Sequence, residues 1–278
     1  MNAPRSIDEY PIRELPDTPL WTENYAVLAT DPVSGLALYY SCGRWIGDPR
    51  LWREVISVCL PGQRLLFAKN YGSTCRPDGP GASLTHWQVV EPERRFRLRF
   101  SGPVLQATHA ELLEQGYPEG PKSACVLDVS FDALGTLWDM KHASNEAEHI
   151  AGAMHIEQIG KANGTVVHEG TSYAFNDAYI VRDHSRGPRD IARYRWSCWM
   201  NGHLPGNRFF HLYAIQTQGT EKIGMSNAGI FEGGSYYPAQ LLHTDLQHDA
   251  VNPDQRHSFV LGCALGEFEV RTAEVISS

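Results

Sequence analysis

The densest run of acids, bases and turn residues in this chain is HIEQIGKANGTVVHEGTSYAFNDAYIVRDHSRGPRD, from His155 to Asp190. In an extended Tyr179-Ile180-Val181-Arg182-Asp183-His184, alternation sends Tyr179, Val181 and Asp183 to one face and Ile180, Arg182 and His184 to the other. Asp183 and His184 then point apart, one of them facing an interior while its neighbour supports it from behind. A buried Asp183 can be held protonated by desolvation and act as a general acid, or stay ionised beside Arg182 or Arg189 and staple the fold. His155 and Glu157 alternate onto one face of their own strand and place two titratable groups within reach of one substrate. SRGPRD, Ser185 to Asp190, is a Gly-Pro turn flanked by charges, for which a turn staple is the simpler job.

Other chemistries find no foothold. No HExxH or paired HxH offers a zinc site, so no metal is expected, and His142, His149 and His168 read as surface loop residues. No GxGxxG, Walker A loop or GxSxG elbow occurs, so nicotinamide, nucleotide-phosphate and hydrolase readings fail and no cofactor is expected. Cys42, Cys59, Cys75, Cys125, Cys198 and Cys263 lie far apart and read as ordinary buried thiols. Aromatic residues supply the complement to the acids and bases. Tyr39 and Tyr40, Tyr194, Trp196 and Trp199, Phe209 with His211 and Tyr213, and Tyr236 with Tyr237 sit in or beside strands. Most are core, but a barrel lined this way binds flat, apolar molecules. Alternation puts Tyr194, Trp196 and Cys198 on one face, and His211 with Tyr213 on one face.

The elements that must position these groups are strands. Phe96, Leu98 and Phe100 alternate with Arg95, Arg97 and Arg99, and Leu127, Val129 and Phe131 with Asp128, Ser130 and Asp132, as in half-buried antiparallel strands. Turn chemistry at Pro61-Gly62, Asn163-Gly164 and Gly233-Gly234 marks hairpins. Only His109 to Gln115 and Leu137 to Ile150 could hold a useful helix, and no alternating βαβ pattern appears. Residues 1–20, rich in Pro and charge, read as an extended arm. QGYPEGPKS breaks the periodicity near Pro121, which divides the rest into a half at 21–120 and a half at 121–278 that carries the candidate site. The fold class is all-β, as one large barrel or two barrel-like halves.

Composition narrows the partners. The chain of 278 residues carries 24 Lys+Arg against 32 Asp+Glu, a formal charge of -8, which disfavours nucleic acid. No apolar run is long enough to span a bilayer, and the N-terminus lacks the basic and apolar regions of a signal peptide, so a cytoplasmic location is expected. A homodimer is the base-rate expectation for such a protein.

The segment GTVVHEGTSYAFNDAYIVRDHSRGPRD resembles the G-T-V-x-x-x-G-x-x-Y…G-x-R-D-H-S-x-G-x-R-D pattern of a set of bacterial proteins similar to carotenoid 1,2-hydratases and the AttH-like group. Trp21-x-Glu23-Asn24-Tyr25, the strands around Asp31 to Tyr40, Trp52, Val55 to Arg64 and His155-x-Glu157-Gln158 extend the resemblance over most of Trp21 to Val270. It implies two lipocalin-like (calycin) antiparallel barrel halves packed together. It also implies Asp183 as an acid that protonates an alkene, with His155, Tyr179 and Trp196 shaping the site or stabilising a cationic transition state. Arg186 stands where the pattern has a Trp after D-H-S, which disfavours a pure hydrocarbon and favours a substrate with a phenol, carboxylate or other oxygen function.

The expected function is therefore a cofactor-independent lyase, hydratase or isomerase acting on a hydrophobic, oxygenated small molecule such as a terpenoid, steroid or plant-derived aromatic. Asp183, His155, Glu157 and Tyr179 are its catalytic candidates, and Tyr39, His184, Arg186, Trp196, His211 and Tyr213 its substrate-binding ones. The alternatives are a non-catalytic carrier of the same kind of ligand and a protein in which RDHSRGPRD only staples the fold.

Overall fold

The computed structural model describes residues 9–62, 64–73, 76–108, 111, 120–135, 137–140, 153–220, 223–246 and 257–271. The alternating stretches form β1 (Trp21–Asp31), β2 (Leu36–Trp45), β3 (Asp48–Leu60), β4 (Arg64–Gly72), β5 (Thr85–Glu91), β6 (Arg95–Thr108), β7 (Lys122–Ala133), β8 (Trp138–Asp139), β9 (Met154–His168) and β10 (Thr171–Pro188). Eight of these, β1, β2, β3, β4, β6, β7, β9 and β10, close into an antiparallel barrel because β10 pairs with both β9 and β1. The remaining two, β5 and β8, add to β6 and β9. A second, open sheet follows in chain order: β11 (Tyr194–Leu204), β12 (Arg208–Thr217), β13 (Met225–Glu232), β14 (Ser235–Thr244), β15 (Ser258–Cys263) and β16 (Gly266–Arg271). It curls into a half-barrel, so the all-β class and the pair of lipocalin-like units are as the pattern implied. Among the described residues no helix is long and apolar enough to cross a membrane.

Three apolar clusters follow from the alternation. The barrel interior holds Phe96, Leu98 and Phe100 against Leu127, Val129 and Phe131, with Trp52 and Trp87, while the intervening arginines and aspartates of β6 and β7 pair outside. A second cluster lies between the barrel wall and the second sheet, and the third fills the half-barrel around Leu212, Ile230 and Leu261. The hairpins at Pro61-Gly62 and Gly233-Gly234 are present. Asn163-Gly164, by contrast, lies inside β9. A side chain at Gly164 would run into the carbonyl of Asp128 on β7, so this glycine serves close strand approach, and a bulge in β10 faces it. The turn itself is Glu169-Gly170, both at positive φ as a tight hairpin requires.

Strand pairing also runs through the expected break at Pro121. Strands β6 and β7 on either side of it are neighbours in one closed sheet, and the change of sheet comes after Pro188. The two candidate helical segments lie almost wholly outside the described residues, as do His142 and His149. His168 is buried and bonded to Ser123 at 2.7 Å, which corrects its reading as a loop residue. The cysteines Cys42, Cys59, Cys125, Cys198 and Cys263 are free thiols, three of them buried.

The arm is more than a wrap. Glu9 enters the barrel end and pairs with Arg182 through two bonds of 2.6 and 2.8 Å, and Arg186 and Arg44 donate to the carbonyls of Tyr10 and Ile12. A second buried acid organises the approach to β5. Glu54 accepts the backbone N–H groups of Ala82, Ser83, Leu84 and Thr85 and the hydroxyls of Ser83 and Thr85. Burial alone would raise its carboxyl, but these bonds outweigh burial and hold it below the usual range. Its stabilising contribution is therefore present above about pH 4.5 and is lost as the pH falls through the folded value. We expect Glu54→Gln to lower unfolding free energy by about 2 to 3 kcal/mol in urea titrations at neutral pH, and to flatten the loss of stability on acidification.

Candidate active site

Strand β10 is buried on both faces between Ala178 and Ser185. As alternation predicts, Ile180 points into the barrel core, while Tyr179 and Val181 belong to the cluster beneath the second sheet. Asp183 shares this outer face, and the register places it opposite Glu157 and Ser185 opposite His155 on β9. The result is a compact group: His155 Nε2 lies 2.6 Å from Asp183 Oδ2 and 3.4 Å from Glu157 Oε1. Asn24 and Ser185 both donate to Asp183 Oδ1, at 3.3 and 3.2 Å, which turns Oδ2 toward the imidazole. Asn24 is in turn held by Ser41, at 3.0 Å. The hydroxyl of Ser41 is bonded to Tyr39, which is 37% exposed, so Tyr39 reaches the cluster from its rim.

The second sheet closes over this group. Residues Phe209, His211, Tyr213 and Ile215 of β12 alternate toward the barrel. His211 Nδ1 approaches Glu157 Oε2 to 4.0 Å, its ring lies 4.1 Å from Trp138 and stacks on Tyr236, and the Tyr213 ring lies 5.5 Å from His155. Tyr179 stacks on Phe209 at 5.0 Å. The site thus sits between the two sheets, not inside either barrel.

Electrostatics assign the proton. Burial works against a charged His155, but Asp183 and then Glu157 overcome it and push the imidazole up to about 9. Burial would raise Asp183, yet His155, Arg189 and His184 hold its carboxyl below the usual range. At neutral pH the pair is imidazolium and carboxylate, so the proton sits on His155, and the expectation of a protonated Asp183 gives way because the neighbouring cations outweigh desolvation. His211 is pushed down by burial more than Glu157 and Asn227 raise it, and is neutral. His155, Glu157 and Asp183 are also the one group of three metal-capable side chains among the described residues, with donor atoms within 4.8 Å. Two carboxylates and an imidazole suit a divalent cation, but with its pKa pushed up to about 9 the imidazole is protonated at neutral pH, and Nε2 then has no lone pair to offer such an ion.

The structure brings together Asp183, His155, Glu157, Tyr179, His211 and Tyr213, with Tyr39 at the rim, and separates the other candidates. His184 faces the barrel interior, stacked on Tyr25 at 3.9 Å and 3.3 Å from Glu23. Arg186 joins the same interior network, 3.2 Å from Glu23. Trp196 packs in the half-barrel cluster on the far face of the second sheet. A bulge between Tyr194 and Trp196 reverses the phase of β11, so Tyr194 and Trp199 face the barrel and Trp196 and Cys198 do not. Sequence reading missed Trp138 and Asn24 as neighbours of the site, and it left Trp199 and Tyr236 in the general aromatic lining without placing them there. Asn24 alternates with the buried Tyr25 and could have been placed, whereas Trp138 sits in a two-residue strand with no periodic signal.

Residues 6–257 match the model of a family described as a domain of unknown function, DUF7064. No curated protein sequence matches the chain. Among solved structures, AttH (NE1406) from Nitrosomonas europaea is similar at 11% identity and a TM-score of 0.53, covering 91% of this chain and 82% of that one. CghA solved with Sch210972 is similar at 12% identity and a TM-score of 0.55, covering 92% and 77%. Kievitone hydratase from Nectria haematococca follows at 12% identity and 0.51, covering 89% and 74%. At these identities the likeness is one of fold, and it agrees with the AttH-like pattern in the sequence.

The charge pair makes a direct prediction. In histidine side-chain NMR, assigned with His155→Gln, the His155 ring should titrate near pH 9, and Asp183→Asn should lower its midpoint by about one to three units. The folded value lies above the unfolded 6.5, so the stability contributed by the His155 shift is present below pH 6.5, as long as Asp183 remains ionised, and is lost as the pH rises through about 9.

Proposed function

The chain belongs to the DUF7064 family, whose description carries no activity, and from the buried acid–base group between its two sheets we propose that it is a cofactor-independent hydratase, lyase or isomerase for a hydrophobic, oxygenated small molecule. The observation that carries the reading is the 2.6 Å His155–Asp183 pair with Glu157 on the same wall, enclosed by Trp138, Tyr179, Tyr213 and Tyr236. Kievitone hydratase, a solved structure of similar fold, supports the class of reaction.

The imidazolium of His155 donates its proton to one carbon of a substrate double bond, and Asp183 stays ionised as its counter-ion. Positive charge that develops on the ligand lies beside Asp183 and Glu157 and against aromatic faces, where it is stabilised. Water then adds to the cationic carbon and passes a proton to Glu157, which returns it to His155 across their 3.4 Å contact, so the net change is one water added. Run backwards the same steps eliminate water. With Glu157 removing a proton from a neighbouring carbon in place of water addition, they move the double bond. An acid of about 9 is weak for protonating carbon, so the double bond must be activated by conjugation or an attached oxygen. That requirement agrees with an oxygenated terpenoid, steroid or plant-type aromatic and disfavours a plain hydrocarbon.

The test is mass spectrometry of an extract enriched in terpenoids and phenolics, incubated with the wild type and with Asp183→Asn. A compound pair should interconvert only with the wild type, with a mass change of one water for hydration or elimination and none for isomerisation. Asp183→Asn should lower turnover by about 10² to 10⁴ while ligand affinity stays within a few-fold. A compound that co-purifies unchanged with both proteins would overturn the catalytic reading in favour of a carrier.

A further inference from the structure

Glu157 is 1% exposed, and neither of its carboxyl oxygens accepts a hydrogen bond among the described residues. The reason is geometric. His155 Nε2 lies 2.6 Å from Asp183 Oδ2 and 3.4 Å from Glu157 Oε1, an ion-pair approach to both carboxylates in which its N–H is not aligned on either. His211 Nδ1, at 4.0 Å, is beyond hydrogen-bond reach. Other polar atoms facing the same cluster also lack a partner. The Tyr179 hydroxyl is one, on a residue 7% exposed and close enough to Glu157 to feel its charge; Trp199 Nε1 is another. Buried polar groups in folded proteins are almost all satisfied, so an acceptor without a donor beside donors without an acceptor defines a complementary guest.

We infer that Glu157 is the anchor of a ligand subsite for a hydroxyl group, the ligand's O–H donating to the Glu157 carboxyl and its oxygen accepting from the Tyr179 or Trp199 side of the cluster. An ammonium group would satisfy Glu157 but offers no acceptor to an indole N–H or a phenol. A carbonyl or ether satisfies the donors but leaves Glu157 bare. A hydroxyl does both from a single atom, which fits a phenol or alcohol with an apolar body for Trp138, Tyr213 and Tyr236. The inference names the substrate class of the site proposed above and rests on that reading for its catalytic meaning, though not for its binding.

The experiment is a fluorescence titration with 2-naphthol, 2-methoxynaphthalene and 2-naphthylmethylamine against the full chain, as wild type and as Glu157→Met, Glu157→Gln and Tyr179→Phe. The wild type should prefer 2-naphthol over the methyl ether by about tenfold or more. Glu157→Met should bring that preference below about threefold while keeping its affinity for the ether and melting no lower than the wild type, because an unpaired buried carboxyl is removed. Glu157→Gln, which keeps an acceptor oxygen, should retain part of the preference, and Tyr179→Phe should lose a smaller part. Equal binding of naphthol and ether by the wild type, tighter binding of the amine, no binding of any of the three, or an undiminished preference in Glu157→Met would each overturn the subsite. The two proposals fail separately. A clear hydroxyl preference without turnover of any extract component removes the catalytic reading and leaves the subsite, whereas turnover of a compound without a hydroxyl does the reverse.

Discussion

One strand buried on both faces sets the terms for the rest of this protein. A barrel strand ordinarily turns one face to its core and the other to water, but β10 runs between the core of the closed barrel and the underside of the second sheet. Its sequence Arg182-Asp183-His184-Ser185 places a polar group at each successive position, so charge is buried on both sides at once. Desolvating each such ion costs several kcal/mol unless it is paired and hydrogen-bonded, and both faces must therefore be equipped with partners. Inside, Arg182 receives Glu9 from the arm, donates to Gln158 at 2.9 Å and lies 4.2 Å over the Phe96 ring, while His184 lies against Glu23. Outside, Asp183 receives His155, Asn24 and Ser185.

The two sets are back to back, and this couples the arm to the chemistry. Arg182 and Gln158 are register partners on the inner face, just as Asp183 and Glu157 are on the outer one. A slip of one residue would put Asp183 against Glu9 and Glu23 and leave Arg182 under the second sheet, so the inner ion pairs select the register that assembles the outer site. Gln158 also donates to the carbonyls of Glu93 and Gly135, and the second of these leads to Trp138, which roofs His211. The interior network is thus better understood as specifying an arrangement than as adding net stability, a role for which buried ion pairs are suited.

What the sequence disclosed and what it withheld divide along the same physical line. Strict alternation was legible wherever one face is apolar and the other charged, as in Arg95–Phe100, and it also resolved the faces of Tyr179–His184 and paired His155 with Glu157. Alternation carries no information about which sheet a face meets. The grouping of His211 and Tyr213 with the acids of β9 and β10 is a contact between elements far apart in the chain. Local irregularity defeated the rest. The bulge after Tyr194 moved Trp196 to the far face, and close approach to β7 made a strand residue of Gly164 where a turn was expected. His184 beside Asp183, and Arg186 in the place of a patterned Trp, read as ligand contacts, and only the barrel interior, with Glu23 and the entering arm, reveals them as its ion-pair partners.

The reactivity proposed for this site rests on an imbalance in that pairing. His155 and Asp183 neutralise one another, so together they leave the region between the sheets with little net charge, and a proton moving between them changes nothing at a distance. Glu157 stands outside the pair. Its carboxyl lies farther from the His155 nitrogen, at 3.4 Å, and accepts no hydrogen bond among the described residues, and the groups around it are the neutral His211 and two tyrosines whose ionisation burial suppresses. In surroundings of low dielectric an acid left without a donor is the strongest local feature, and it acts on whatever enters. A hydroxyl gains most from it at rest, and a carbon centre acquiring positive charge gains most from it in reaction. The same residue can therefore hold an oxygenated ligand and favour the protonated state of its double bond, so the ligand class and the reaction class proposed for this chain draw on one buried charge although each stands on its own test.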